Sequence, residues 1–267
     1  MVNITSRKAF VAFLTLTISC AVFLTGCFAP RPVNTISQVA AIDALLAGAY
    51  GGELSLDQLL EMGDTGIGTF DCLDGEMLVL DGKVYQVKAD GRVYTPSLDT
   101  TTPFASVVYF SPDNMVLSTE DMSFAALQNL LDKCAPAKNL FYTFKIKGVF
   151  KSMKTRSVPR QKKPFPPLAE VVKTQPVFAM KDVSGTIVGF RCPAYVKGVN
   201  VVGYHLHFIS SDRKQGGHIL DFEMRQGAII EIDRCNKFFM LLPKSAAGFH
   251  KADLTKDRSR ELHKVEH

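Results

Sequence analysis

The chain has 267 residues, of which 46% are hydrophobic and 21% charged. That is the profile of a folded protein long enough to bury a substantial core, and it excludes a disordered chain. The formal net charge is +5, and no basic block is interleaved with aromatic residues, so nucleic acid is not an expected partner.

The first predicted segment is a secretion signal over residues 1–26. Arg7 and Lys8 precede an uncharged apolar run from Val11 that ends at a cysteine, too short and too close to the N-terminus for a permanent span. Leu24-Thr25-Gly26-Cys27 resembles the bacterial lipoprotein processing box, which implies cleavage before Cys27 and a diacylglycerol anchor on its thiol. An ordinary signal peptide or an uncleaved N-terminal anchor is the plainer alternative. The expectation is therefore an exported protein whose only membrane contact is a lipid anchor at Cys27, with residues 27–35 as a tether. Four cysteines remain, Cys72, Cys134, Cys192 and Cys235, widely spaced and without a CxxC pair. Their spacing leaves disulfides and free thiols equally open.

Val39, Ile42, Leu45 and Leu46 stand at helical spacing and predict a helix over 36–49, and Ser55 to Leu60 predicts a second. The period then shortens to that of strands: Phe70, 76–80, 83–87 and 92–94, punctuated by Asp74-Gly75, Asp81-Gly82 and Asp90-Gly91, read as a meander of hairpins. A strand at 106–110, a helix at 121–131 and a strand at 141–150 follow. A basic, proline-containing loop is predicted over 151–167, then a short helix at 168–174. The remainder reads as strands at 185–192, 201–210, 217–225, 227–233 and 238–242, closed by a polar tail from Ala252 to His267. The expected fold is α+β, with two sheet-rich lobes of mixed or antiparallel strands at 36–155 and 156–267 and a few short helices.

Three of the six histidines fall within fourteen residues: His205, His207 and His218. Residues i and i+2 of a strand project from one face, so His205 and His207 can point at one site. The turn 211–217 would bring His218 alongside on an antiparallel partner. Three imidazoles with an open fourth position make a catalytic zinc arrangement, although imidazole also suits iron, nickel or copper. Glu76, just after an Asp-Gly turn, shares a face with Leu78 and Leu80 and reads alone as a hairpin-edge carboxylate. Arg156 reads alone as part of a solvated basic loop.

The combination of Gly66-Ile67-Gly68-Thr69-Phe70, Leu73-Asp74-Gly75-Glu76, Asp81 to Gln86, Pro103-Phe104-Ala105, Gly189 to Pro193, Gly203 to Phe208, Asp212-Arg213 and Gly216-Gly217-His218 resembles the alpha-acetolactate decarboxylases. The resemblance runs from about Ile36 to the C-terminus. It implies a zinc ion on His205, His207 and His218, with Glu76, Arg156 and Thr69 at the same cavity. It also implies a homodimer and a C-terminal tail that folds back to the metal site with Glu266, Glu261 being the nearby alternative. The implied reaction is decarboxylation of (2S)-2-acetolactate to (R)-acetoin and CO2, with zinc as the Lewis acid that stabilises an enediolate. Taken without the resemblance, the residues leave open another metal-dependent lyase or hydrolase, or a metal-binding surface lipoprotein.

Overall fold

The computed structural model describes residues 32–245 and 248–266. The expected signal segment and Cys27 lie outside the described residues. In chain order the elements are β1 (Thr35–Val39), α1 (Ile42–Leu46), β2 (Leu54–Ser55), α2 (Leu56–Leu60), β3 (Thr65–Thr69), β4 (Glu76–Leu80), β5 (Lys83–Val87), β6 (Val93–Tyr94), β7 (Thr101–Thr102) and β8 (Ala105–Val108). There follow β9 (Asn114–Leu117), β10 (Met122–Ser123), α3 (Phe124–Cys134), β11 (Phe141–Arg156), α4 (Leu168–Val171), β12 (Val177–Cys192), β13 (Gly203–Ser210), β14 (Gly216–Met224), β15 (Ile229–Cys235), β16 (Lys237–Leu241) and α5 (Ser259–Glu266). The fold is α+β, rich in antiparallel sheet, and among the described residues no helix is long and apolar enough to cross a membrane.

Seven strands form a first sheet in the order β16-β1-β8-β3-β4-β5-β6, antiparallel except for the parallel pair β1 and β16. The second sheet runs β10-β14-β13-β12-β11-β15-β9, and β14 also pairs with β11. That extra pairing curls the second sheet into a barrel. On the edge away from β12, β11 gives residues 141–147 to β15 and residues 150–156 to β14, and bulges around Phe150 and Lys154 supply the bend between the two partners.

Several predicted elements differ from those observed, among them β12, which begins at Val177 and not 185, and the expected polar tail, which contains α5. Residues 36–49 are not one helix: Ile36 and Val39 are buried in β1, held between β8 and β16, and only Ile42 to Leu46 is helical. Two flanking strands satisfy this backbone, and tertiary pairing overrides a periodicity that spanned only about two turns. The basic stretch after Phe150 is not all loop. It continues β11 to Arg156, with Met153 and Thr155 buried and Ser152 and Lys154 exposed, so its alternation is that of a half-buried strand. The predicted helix at 55–60 is α2, begun by a capping box between Ser55 and Gln58.

An apolar seam joins the sheet to the barrel. Ile67, Leu78, Leu80 and Val87 from the first meet Val188, Phe190 and Ile209 from the second. Each such side chain contributes roughly 1.5–3 kcal/mol when fully buried, and the seam fixes the face of β4 against the face of β13. Cys235 pairs with Phe141 on β11 and Cys192 with Gly203 on β13, and all four cysteines from Cys72 onward are free thiols.

Candidate metal centre

His205 and His207 leave β13 on the face turned toward the first sheet, while Tyr204, Leu206 and Phe208 point into the barrel core. The pairing of β13 with β14 sets His207 opposite His218, and the pairing of β14 with β11 sets His218 opposite Arg156. Three adjacent strands therefore deliver four polar side chains to one spot. The histidine rings lie 5.1–5.4 Å apart between centroids, and one ligand nitrogen from each falls within 4.8 Å of the others.

Glu76 opens β4 directly across the seam. Its Oε1 accepts a hydrogen bond from Arg156 Nη1 at 3.2 Å, and its Oε2 lies 3.5 Å from His207 Nε2. Helix α5 stands on the other side, where Glu266 Oε2 is 3.8 Å from His205 Nε2 and 3.9 Å from His218 Nε2. The preceding residue, Val265, accepts from Arg156 Nη2 at 2.7 Å. Arg156 thus spans the two carboxylate-bearing elements and does not close a bidentate fork on Glu76. Thr69 also lines the cavity, but its hydroxyl donates to the Gly75 carbonyl at 2.7 Å and braces the turn that launches Glu76. Glu261 lies outside the cavity and bonds to Arg258 instead.

The polar groups occupy one wall of a small cavity of about 40 Å³, room for a few waters or a bound cation. The opposite wall is apolar, built from Ile42, Leu45, Leu73, Phe104, Val158 and Leu168. Sequence inspection did not single out this wall. Its members come from five separate segments, and nothing in their local pattern distinguishes them from core residues.

Burial governs the charges. It drives His205 down to about 3 and His207 and His218 well below the usual imidazole range, with the Arg156 charge pressing all three the same way. Uncharged imidazole is the form that binds a metal. His207 Nδ1 donates to the Met77 carbonyl at 2.9 Å, which turns the Nε2 lone pair into the cavity, where it is buried without a hydrogen-bond partner. A carbonyl-oriented imidazole with its second nitrogen left over is the arrangement of a metal ligand. The residues present fit a divalent cation. Burial also lifts the Glu76 carboxyl to about 7, against the lowering effect of Arg156 and with Glu266 adding to the rise.

Comparisons with known proteins agree with this geometry. The sequence model for the family described as alpha-acetolactate decarboxylase matches residues 36–256. A Methanosarcina mazei alpha-acetolactate decarboxylase is 49% identical over 233 residues, covering 87% of this chain and 80% of the relative. A Methylococcus capsulatus counterpart is 41% identical, covering 87% and 89%. The crystal structure of the Bacillus subtilis alpha-acetolactate decarboxylase superposes with a TM-score of 0.84 at 37% identity, covering 87% of this chain and 99% of that one.

Proposed function

Because the chain belongs to the alpha-acetolactate decarboxylase family, we propose that its cavity converts (2S)-2-acetolactate to (R)-acetoin and CO2 with a zinc ion held by His205, His207 and His218. The observation that carries this reading is the convergence of three uncharged imidazoles on a buried carboxylate–guanidinium pair in one small cavity. The bound cation would supply Lewis acidity toward the ketone and hydroxyl oxygens of a substrate that must hold an extra electron pair once CO2 departs.

The chain's own groups would do the rest. Arg156 has its Nε buried without a hydrogen-bond partner, so a donor remains for a substrate oxygen while the two Nη atoms keep Glu76 and Val265 in place. Glu76 stands on the His207 side of the triad and Glu266 on the His205 and His218 side. Two carboxylates flanking one site suit a reaction that takes a proton from the substrate hydroxyl and delivers one to the carbon that loses CO2. Burial raises the Glu76 carboxyl, while a cation bound beside it would favour the carboxylate, the form that takes the hydroxyl proton. The apolar wall would exclude water from that carbon and accept the methyl groups. On this reading α5 is a C-terminal tail that closes the site. Replacing His207 by Ala is the test: loss of both bound metal and acetoin formation supports the reading, and full turnover by metal-free variant protein would refute it.

We also propose, on the Leu24–Cys27 pattern, that the enzyme is exported and lipid-anchored, and on the family resemblance that it works as a homodimer. Globomycin-sensitive processing and membrane fractionation test the first, and sedimentation tests the second. A cytosolic, unprocessed chain or a monomer would overturn the respective statement.

A further inference from the structure

The metal cavity is closed. Its space of about 40 Å³ admits a few waters, and every residue of the apolar wall opposite the histidines is buried. A substrate larger than a few waters must enter from a side where some group can move.

The three histidines differ in how far solvent reaches them. The side chains of His207 and His218 are 1% and 4% exposed, whereas that of His205 is 11% exposed, with its Nε2 3.8 Å from Glu266 Oε2. His205 stands near the start of β13, where a surface groove of about 560 Å³ lies alongside. One wall of the groove is the chain entering β13, with Val202 and Tyr204. The other wall is α5, where Ser259, His263 and Glu266 recur at the spacing of one helix face. Glu266 is the one residue that borders both groove and cavity. Three other surface hollows, of about 340, 400 and 670 Å³, share no residue with the cavity.

The helix itself need not leave. Leu262 and Val265 pack with Ile42, Leu45 and Leu168, and the Val265 carbonyl accepts from Arg156 Nη2 at 2.7 Å. The Glu266 carboxylate, by contrast, hangs on a flexible side chain between the two spaces, and its rotation toward the groove would open the His205 side of the cavity. We propose that this groove is the entrance to the metal site and that the Glu266 side chain is its gate. Substrate docks between Val202 and α5, then passes to the histidines as the carboxylate swings aside. The inference rests on the decarboxylase reading for the identity of the substrate, while the route to the histidines follows from the walls alone.

The test plugs the groove reversibly. Val202 is 40% exposed, and Val202→Cys is labelled with benzyl methanethiosulfonate, then freed with a phosphine reductant. Ala194→Cys, on the same groove, repeats the test should the first variant fold poorly. Leu242→Cys, in a hollow that shares no residue with the cavity, and the parent protein are labelled alike as controls. Two rates are read: kcat/KM for 2-acetolactate in zinc-loaded protein, and cobalt(II) uptake by zinc-stripped protein, followed by absorbance. The label in the groove is expected to lower both by about 10-fold or more, within the span over which association rates vary, with Tm unchanged and recovery on reduction. Either rate unchanged by the groove label, or an equal loss from the label at residue 242, would overturn the proposal. If the parent makes no acetoin, the decarboxylase reading fails by itself, and cobalt uptake still decides whether the groove is the way in.

Discussion

Gly189 is the position where a single methyl group should disturb the metal centre without touching it. It lies on β12 opposite Leu206, between the two histidines that β13 carries. A Cβ built at residue 189 would overlap the His205 carbonyl oxygen and come within 2.8 Å of Leu206 Cα. Non-bonded carbons settle at about 3.5–4.0 Å, so the strands must part by roughly 1 Å. The obstacles are backbone atoms that cannot rotate away. Overpacking of this kind costs about 1–3 kcal/mol, which for a domain of this size lowers Tm by about 2–12 °C. Metal–ligand distances tolerate only about 0.2 Å, so the larger consequence falls on zinc affinity, expected to weaken by about 10–100-fold. Thermal unfolding of zinc-free protein and competition with a chromogenic chelator measure the two effects separately. Gly227→Ala is the control: its φ of +85° carries backbone strain, but nothing lies within 4 Å of a Cβ there, so it should lower Tm and leave zinc affinity alone. A Gly189→Ala protein equal to the parent in both measurements would refute the argument that close strand approach sets the ligand geometry.

Glu76→Gln should keep bound zinc and fold normally while losing about 10²–10⁴ of kcat, because the amide fills the same space but carries no proton between substrate atoms. An unchanged kcat would make Glu76 a bystander. Asp233 is fully buried, and burial raises its carboxyl to about 6, with Asp113 and Asp64 adding to the rise and the Ser111 N–H opposing it. The folded protein therefore binds more protons than the unfolded chain between about pH 4 and pH 6. Stability falls as pH rises through that window, and the penalty is complete above it. Asp233→Asn should then be more stable than the parent at about pH 7.5, by on the order of 1–3 kcal/mol, with the advantage vanishing near pH 4. Urea unfolding at the two pH values checks this, and an equal difference at both would contradict it.

Local pattern revealed the elements whose energetics are local. The hairpins around Asp74-Gly75 and Asp81-Gly82 and the capped helix after Ser55 follow from turn and cap chemistry, and they occur where that chemistry stands. The histidines were legible because the period of a strand puts 205 and 207 on one face, and a short turn limits where 218 can go. Arg156 was not. It stands at the end of a sixteen-residue strand whose second half is held between β12 and β14, the latter more than sixty residues later in the chain, and these distant pairings make a lysine-rich segment sheet. Ile36 to Val39 was misread for the same reason, since its partner β16 lies two hundred residues away. The apolar wall depends on contacts between segments with no shared pattern, so it was visible only after folding.

The central claim is a metal-dependent decarboxylation in the cavity of His205, His207 and His218. The most direct test supplies racemic 2-acetolactate to chain expressed from Cys27 onward (with Cys27 replaced by Ser) and follows acetoin with a chelator present, absent, and followed by zinc. The account predicts (R)-acetoin from the untreated enzyme, its loss on chelation and its return with zinc. Folded, zinc-loaded protein that releases no acetoin, or release that chelation leaves unchanged, would contradict it.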